Sequence, residues 1–426
     1  MTDVSFLYPF LNFLQPGVLL PGLAPLRPML IVSVIAGLIG LQRVVQGVSP
    51  APRRGFLSHP ALKWLCVFAV VQVVSVYYSG VRSMLTELDF WSTYLLFVAV
   101  SLLLIRDATE LRRYVWGMIL GSAVVVGYGL YAVVAHLPTV VGGRAGAYGM
   151  YENHNDYTFI IIQVLPFAYF YVPLCRRLLA RLFLFLLLTA CVCGVVFSQS
   201  RGGILALVLE CGIILWMRTS GTRRVVALVV FAALGAAAIA YQFATREASQ
   251  GATYTEEQAK YERVELWRAA TRAYLMNPVL GVGSRRFGEF SDRYGEISHD
   301  NRGKVAHNTY LEVAADSGSL GIGAFLMMLV AIFRSLRGIR FFNWTDDGLA
   351  QTLLAASVSF WSILFRSLLD AKEYDWSFYI LIVIVVSSST LLARRGQQET
   401  AATATSRAAD AVPAPDRPMI YGRRWG

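Results

Sequence analysis

Long apolar runs separated by short polar segments follow one another along the whole chain. Each run is long enough, and poor enough in charge, to cross about 30 Å of hydrocarbon as a helix. The runs predict membrane helices near residues 4–20, 28–45, 64–80, 90–105, 114–134, 157–173, 182–198, 202–217, 223–242, 309–333, 348–368 and 377–393. Pro9, Pro16 and Pro21 interrupt the first run, so a re-entrant or interfacial segment fits it as well. The pattern predicts an all-α polytopic membrane protein with about 12 transmembrane helices.

Composition supports this fold class. The 426 residues are 56% hydrophobic and 15% charged, and the mean hydropathy is +0.52, which is more apolar than an ordinary globular protein. The net charge of +11 comes from loops and the C-terminal tail, so no nucleic acid is expected as a partner. The five cysteines lie in the apolar runs or at their ends, which favours neither a disulfide framework nor a metal site. No cleavable signal peptide is expected.

Basic residues are concentrated in every second loop, which predicts the orientation. Arginine-rich loops stay on the cytoplasmic side of a membrane, so both termini are predicted inside and the long loop 243–307 outside. The predicted organisation is therefore helices 1 to 9 in residues 1–242, an external loop with short helices in 243–307, helices 10 to 12 in 308–395, and a disordered cytoplasmic tail in 396–426.

The external loop is dense in charge but nearly neutral, with ten basic and nine acidic residues in 243–307. A helix is predicted from a cap at Thr255 to Tyr274. Arg263 and Trp267 lie four residues apart and so share one face of that helix. Arg263 is either an anion ligand braced by Trp267 or a solvated charge on an amphipathic helix, and spacing alone favours the second interpretation.

Two short segments add arginines on the same external side. Gly281 and Gly283 form a turn whose backbone could approach a phosphate, and Arg285 and Arg286 follow it, although two glycines alone are weak evidence. Arg201 lies in a very short turn between two predicted spans. A guanidinium at that depth serves either as a headgroup anchor or as a phosphate ligand.

Another external loop contains Arg144, followed by the amide-rich run Tyr151–Asp156 at the start of the next span. Asn153 and Asn155 in that run suit hydrogen bonds to sugar hydroxyls, but the run also suits capping of the helix through Asn155. The sequence leaves both interpretations open.

His307 lies where the long loop runs into the next apolar helix, within the sequence Ala306-His307-Asn308-Thr309-Tyr310. A histidine at this boundary can transfer protons, or it can simply mark the end of a helix. The arginines of the external face suit a diphosphate, and a neutral imidazole can accept a proton from a hydroxyl. Acids that could form a metal cage are not grouped at ligand spacing. The set therefore predicts a metal-free transferase with a lipid diphosphate donor.

These residues resemble the O-antigen ligase and polymerase superfamily of bacterial membrane enzymes. The matching motifs are Ser200-Arg201-Gly202-Gly203, Arg263 with Trp267, Gly281-Val282-Gly283 with Phe287, and His307-Asn308-Thr309-Tyr310-Leu311 followed by Gly318 and Gly321. The resemblance covers residues 140–335 best. It implies a C-type membrane glycosyltransferase fold with one large periplasmic loop, in the bacterial inner membrane, and no cofactor or metal.

The resemblance also implies an activity and the residues that carry it. A glycan would move from undecaprenyl diphosphate to an acceptor hydroxyl at the periplasmic face, with inversion at the anomeric carbon. Arg201 and Arg263 would hold the diphosphate, and His307 would act as the base or orient the acceptor. Arg285 and Arg286 are further diphosphate candidates. The candidates for binding the acceptor or sugar are Arg144, Asn153, Asn155, Asn308 and Tyr310.

Family resemblance does not separate a ligase from a polymerase. A ligase attaches O-antigen to lipid A-core, whereas a polymerase joins repeat units of O-antigen or exopolysaccharide to a growing glycan. The size of the chain and its single long loop favour the ligase, and the run Asn153–Asp156 also resembles a polymerase motif. A solute transporter is a third possibility, but transporters place polar groups near the membrane midplane, where Glu210 is the main ionisable residue here.

Overall fold

The computed structural model describes residues 4–46, 58–137, 143–250, 256–337 and 347–410. Within these ranges the chain is helical and contains no β-strand. The helices are α1 (Val4–Leu14), α2 (Pro16–Leu19), α3 (Pro28–Val45), α4 (Pro60–Ser75), α5 (Val81–Leu104), α6 (Ala108–Val134), α7 (His154–Tyr171), α8 (Leu178–Ser198), α9 (Arg201–Arg218), α10 (Gly221–Gln250), α11 (Glu256–Met276), α12 (Phe287–Phe290), α13 (Thr309–Leu336), α14 (Gly348–Arg366) and α15 (Trp376–Asp410).

Eight segments of the described chain are long and apolar enough to cross a membrane, so the protein is a multi-pass membrane protein. They are Pro28–Val45, Pro60–Ser79, Val81–Leu104, Ala108–Val134, Leu178–Ser198, Thr309–Leu336, Gly348–Arg366 and Trp376–Gln398. The predicted span 4–20 is divided instead, because α1 has 11 residues and Gln15 takes a positive φ of 47° after it. The helices α7, α9 and α10 coincide with the three other predicted spans, and the count of about 12 stays a prediction.

The core of the bundle is built around α7, α14 and α15. Every residue of α7 from Tyr157 to Ala168 is buried, and α7 packs against α14, which in turn packs against α15. The short helix α1 packs closely against α6 because Gly117 lies where a Cβ would stand 2.1 Å from the Phe6 carbonyl oxygen. A helix buried on all sides needs no polar face, which explains the nearly continuous apolar sequence of these elements.

Helix α13 is kinked at Gly318, whose backbone has φ 63° and ψ −160°. Such angles are accessible essentially to glycine alone. The turn after α11 approaches the kink closely, since Ser319 N–H donates to the Pro278 carbonyl at 2.7 Å and Val282 N–H donates to that of Ala315 at 2.8 Å. The kink therefore joins the first turns of α13 to the segment that follows α11.

The predicted helix of the long loop is confirmed as α11, Glu256–Met276, although the proposed cap Thr255 lies outside the described residues. A small apolar core joins α11 to the start of α13, with Leu266, Ala270, Ala306 and Ala315 among its buried members.

The predicted cytoplasmic tail begins at residue 396, within the last helix. Helix α15 continues to Asp410, through a stretch where alanine and other good helix formers are common. Residues 411–426 lie outside the described residues.

Candidate active site

His307 lies in the loop just before α13 and is held in an unusual backbone conformation. Its φ is 50°, a left-handed value that costs a non-glycine residue about 1–2 kcal/mol. The next residue, Asn308, is the N-cap of α13 and accepts from the backbone N–H groups of Tyr310 and Leu311. His307 Nδ1 lies 3.3 Å from Asp370 Oδ1, and the histidine side chain is 30% exposed. The site therefore holds an accessible imidazole in one orientation.

Asp370, in the loop between α14 and α15, lies at the centre of a buried ionic cluster. Its Oδ2 is 3.3 Å from Arg366 and 3.4 Å from Lys372 Nζ. Burial alone would raise the pKa of Asp370, but the charges of Lys372 and Arg366 and the hydrogen bond from His307 hold it well below its ordinary value. Because Asp370 stays ionised, His307 Nδ1 must be the donor in their hydrogen bond. In a neutral imidazole of this tautomer, the other ring nitrogen, Nε2, carries the lone pair.

Lys372 connects this loop to the start of α7. Its Nζ forms an ion pair with Asp156 as well as with Asp370. Burial would lower the pKa of Lys372, but the charges of Asp370, Asp156 and Asp375 raise it above its ordinary value. Lys372 therefore stays charged, and the two carboxylates neutralise it. The backbone adds to this connection, because Thr309 Oγ1 accepts from the Lys372 N–H at 2.9 Å and donates to the Asp370 carbonyl at 2.8 Å.

Arg366 ends α14, is 1% exposed, and packs against the start of α9. A Cβ at Gly202 would lie 2.6 Å from an Arg366 guanidinium nitrogen, so a side chain there would have to displace the guanidinium. Arg201 precedes that glycine as the first residue of α9. Arg263 of α11 is exposed, and it lies close enough to Arg366 for their positive charges to repel. Arg263 and Arg366 therefore lie near each other, and the start of α9, where Arg201 stands, packs against Arg366.

The predicted sugar ligands mostly have structural hydrogen bonds. Asn153, and not Asn155, is the N-cap of α7, while Asn155 Oδ1 accepts from Ser200 Oγ at 2.9 Å. Arg144 donates to the carbonyls of Ser198 and Gln199 at the end of α8, both at 3.1 Å. The other two predicted sugar ligands, Asn308 and Tyr310, contact α14 and the residues after it. Asn308 Nδ2 donates to the Leu368 carbonyl, and the Tyr310 hydroxyl donates to the Leu364 carbonyl, each at 3.2 Å.

The side chains of Arg285 and Arg286 have partners on and before α5. Arg285 pairs with Glu87 at 2.6 Å and lies 3.9 Å from the ring centre of Phe90. Arg286 donates to the hydroxyls of Ser79 and Ser83. These contacts occupy both guanidinium groups, so we leave them out of the diphosphate site proposed below.

Three buried carboxylates form a group that the sequence analysis missed. Glu312 and Asp316 of α13 and Glu373 of the 367–375 loop have oxygens within 4.8 Å of one another. The expectation that no acids are grouped at ligand spacing is therefore wrong, because the fold brings Glu373 to two acids one helical turn apart.

The bonding of this group differs among its members. The two Asp316 oxygens accept from the backbone N–H groups of residues 285–287 and from the Tyr374 hydroxyl, which leaves Asp316 little capacity to bind a metal ion. Burial raises the pKa of Glu373 to about 8. Glu373 is therefore mostly protonated at neutral pH, and this carboxyl adds little negative charge to the group.

Residues 182–326 match the family model described as O-Antigen ligase. The resemblance inferred from the motifs is confirmed over that range, which contains Arg201, Arg263 and His307. The chain is also similar to "Exopolysaccharide production protein ExoQ" of Rhizobium meliloti (strain 1021), with 24% identity over 299 residues. That similarity covers 65% of this chain and 65% of the relative, which is just under two thirds of its length.

The O-antigen ligase match ends before the loop that completes the cluster. Asp370, Lys372 and Arg366 were not predicted as site residues, and Asp156 was only part of an amide-rich run. A signal for them exists in the sequence Asp370-Ala371-Lys372-Glu373-Tyr374-Asp375, where four charged residues stand between two strongly apolar helices. Charges so close to a membrane span are costly unless they are paired.

Proposed function

We propose that this protein transfers a glycan from a polyprenyl diphosphate, in bacteria undecaprenyl diphosphate, to a hydroxyl group of an acceptor. The observation that carries the proposal is the hydrogen bond of His307 with the ionised Asp370, which also pairs with the buried Arg366 and Lys372. Such a pair provides a base of fixed orientation, and the arginines provide positive charge for an anionic leaving group.

The proposed reaction is a single displacement. His307 Nε2 accepts the proton of the acceptor hydroxyl as its oxygen attacks the anomeric carbon of the donor. The bond between that carbon and the diphosphate oxygen breaks, and the polyprenyl diphosphate leaves with the bonding electrons. Attack from the face opposite the leaving group inverts the anomeric configuration. Asp370 stabilises the imidazolium that forms, because its carboxylate remains hydrogen-bonded to Nδ1.

Arg201 and Arg263 are the proposed ligands of the diphosphate. Within the ionic cluster, Asp156 and Asp370 balance the charges of Lys372 and Arg366. Arg201 and Arg263 are proposed to bring further positive charge to the site, which suits a diphosphate that gains negative charge as it leaves. No step of this reaction uses a metal ion, so we expect activity to persist in a chelator.

The acceptor has two candidates, each favoured by one comparison. The family description of residues 182–326 favours an O-antigen ligase, whose acceptor is lipid A-core. The name of the relative favours a polymerase of exopolysaccharide repeat units, whose acceptor is another lipid-linked glycan. The same cluster serves both reactions, because each needs one base and one diphosphate site.

The test is a transfer assay with purified protein in liposomes. The donor is an undecaprenyl-diphosphate glycan, and the acceptor is either lipid A-core or a second lipid-linked repeat unit. We expect product with one acceptor, and a rate lower by about 10²–10⁴-fold in His307→Gln. Donor binding should be unchanged in that variant.

A matched control keeps the assay decisive. His299→Gln changes an exposed histidine of the same loop and should transfer at the wild-type rate. Transfer at the normal rate by a folded His307→Gln protein would remove His307 from the reaction. Absence of product with both acceptors, in protein that still binds donor, would contradict the proposed acceptor classes.

A further inference from the structure

The last turn of α11 and the turn that follows it carry three exposed apolar side chains. Leu275, Met276 and Val279 are 67%, 70% and 60% exposed. The opposite face of α11 is buried, because Leu266 and Ala273 belong to the small apolar core that joins α11 to the start of α13. Single exposed apolar residues are common, but three neighbours that are exposed to this extent mark a surface that another apolar medium covers.

These side chains lie beside the part of α13 that crosses the membrane. The Leu320 N–H donates to the Val279 carbonyl at 3.3 Å, so the turn after α11 is fixed to α13 just past the kink at Gly318. From there on, residues 320–333 contain no charged side chain, and Leu320 is itself 51% exposed. The apolar end of α11 is therefore level with the first residues of an apolar membrane segment, and hydrocarbon is the apolar medium next to it.

An exposed arginine lies one helical turn before this apolar end. Arg272 precedes Leu275 by three residues and Met276 by four, so the three side chains share one face of α11. Residues 266–288 contain no acidic residue, and within the described ranges no carboxylate forms an ion pair with Arg272. An apolar end with a basic residue next to it is typical of helices in the membrane interface, where the cation binds lipid phosphates.

We propose that this end of α11 inserts into the membrane leaflet on the side of the candidate active site and binds its anionic phospholipids. Leu275, Met276 and Val279 contact the acyl chains, and Arg272 contacts the phosphate of a headgroup. A phospholipid presents its phosphate and its chains in the same order as this surface presents the arginine and the apolar side chains. Insertion holds α11, and with it Arg263, at a fixed depth in the membrane.

Site-specific photocross-linking in liposomes tests the contact with lipid. A diazirine amino acid replaces Met276 or Val279 in the otherwise native chain, and the liposomes contain phosphatidylglycerol and phosphatidylcholine with identical acyl chains. Mass spectrometry identifies the adducts after illumination. We expect phospholipid adducts at both positions. The control position is the exposed Arg302, where we expect water adducts, because the residue before it contacts Glu265, about 15 Å along α11 from Leu275.

Arg272→Gln tests the phosphate contact, with Arg302→Gln as the matched control. One arginine near an anionic lipid surface contributes about fivefold to binding. The ratio of phosphatidylglycerol to phosphatidylcholine adducts at Met276 should therefore fall about fivefold in Arg272→Gln. Arg272→Lys should keep most of the wild-type ratio, and Arg302→Gln should keep all of it. Melting temperatures check that each variant is folded.

Other coverings of this surface would give different products. Cross-links to a second copy of the chain, or water adducts alone, at both Met276 and Val279 would overturn the insertion. An unchanged lipid ratio in Arg272→Gln, or an equal fall in Arg302→Gln, would overturn the contact of Arg272 with phosphate. The liposomes contain no glycan donor, so these results are independent of the proposed transfer reaction.

Discussion

At the residue scale, the candidate active site depends on how a few charges are balanced. Asp156 and Asp370 neutralise two cations, and both Arg366 and Lys372 are buried. An unpaired buried charge is very costly, so these four groups hold their segments together. Arg263 has a different position, because it is exposed on α11 and is suited to contacting a ligand rather than another helix.

Arginine at positions 201 and 263 should matter for its shape as well as its charge. A charge-assisted contact contributes about 1.5–3 kcal/mol, so Arg201→Ala or Arg263→Ala should lower transfer roughly tenfold to a hundredfold. Lysine at either position should restore only part of the transfer rate, because lysine lacks the planar guanidinium that binds a diphosphate through two donors. Rates in liposomes provide the measurement, and Arg268→Ala, an exposed arginine of the same helix, is the control. Full activity of both alanine variants would exclude them from the site.

Glu373 should make stability depend on pH. Its folded pKa of about 8 lies above the ordinary value of 4.5, so the folded state holds a proton that the unfolded chain releases earlier. The stabilisation of the folded state by Glu373 is complete below about pH 4.5. It is lost as the pH rises toward 8, at up to about 1.4 kcal/mol of unfolding free energy per pH unit. Glu373→Gln should therefore flatten the fall of unfolding free energy across this range. Chemical denaturation in detergent measures it, with exposed Glu289→Gln expected to keep the wild-type slope.

At the scale of elements, the apolar pattern predicts most helices correctly, and α11 follows from its capping and spacing signals. The first span is different because Gln15 interrupts it, and only the prolines indicated this. Helix α15 runs past residue 396 into the predicted tail, where alanines favour helix once α15 has begun. Local sequence therefore predicts where helices form better than it predicts where they end.

The kink in α13 gives a prediction about one glycine. Alanine at Gly318 would need a φ of 63° and would put its Cβ 2.4 Å from the backbone of Val279. We expect Gly318→Ala to lower the free energy of unfolding by several kcal/mol, because the backbone conformation alone costs alanine about 1–3 kcal/mol. Gly323→Ala is the control, since nothing lies within 4 Å of that Cβ on the same helix. Melting temperatures should separate the two variants, and similar values would contradict this account of the kink.

At the scale of the whole molecule, the candidate site joins segments that are far apart in sequence. Residues 153–156, 198–203, 306–309 and 366–372 meet there, and α11 adds Arg263. Arg201, Arg263 and His307 could be singled out from local motifs. Asp370 and Lys372 could not, because their role arises from contacts across 63 and 216 residues of sequence. The pairing of distant charges is decided by the packing of helices and leaves no local pattern.

Orientation in the membrane is a prediction for the whole chain. The basic loops predict that residues 243–307 face the periplasm and that the segment after Arg394 faces the cytoplasm. Single cysteines are placed at Ser249 and at Ala404 in a variant without other cysteines. Whole cells with a permeabilised outer membrane are then treated with an impermeant thiol reagent, and labelling at the two positions should differ. We expect labelling at 249 alone. Labelling at 404 alone would reverse the topology and put the site on the other face.

The kink at Gly318 also bears on the depth at which the proposed reaction would take place. After it, Ser319–Leu336 is about 27 Å long as a helix, which is close to the thickness of the hydrocarbon layer. The residues from Thr309 to Ser317 then rise at most about 14 Å beyond that layer, and His307 lies just past them. The headgroup layer is about 5–8 Å thick on each side, so His307 would lie near or beyond its outer edge, and in the proposed reaction a polyprenyl carrier would keep its tail in the bilayer. The growing or transferred sugar would meet water from the moment its bond is made.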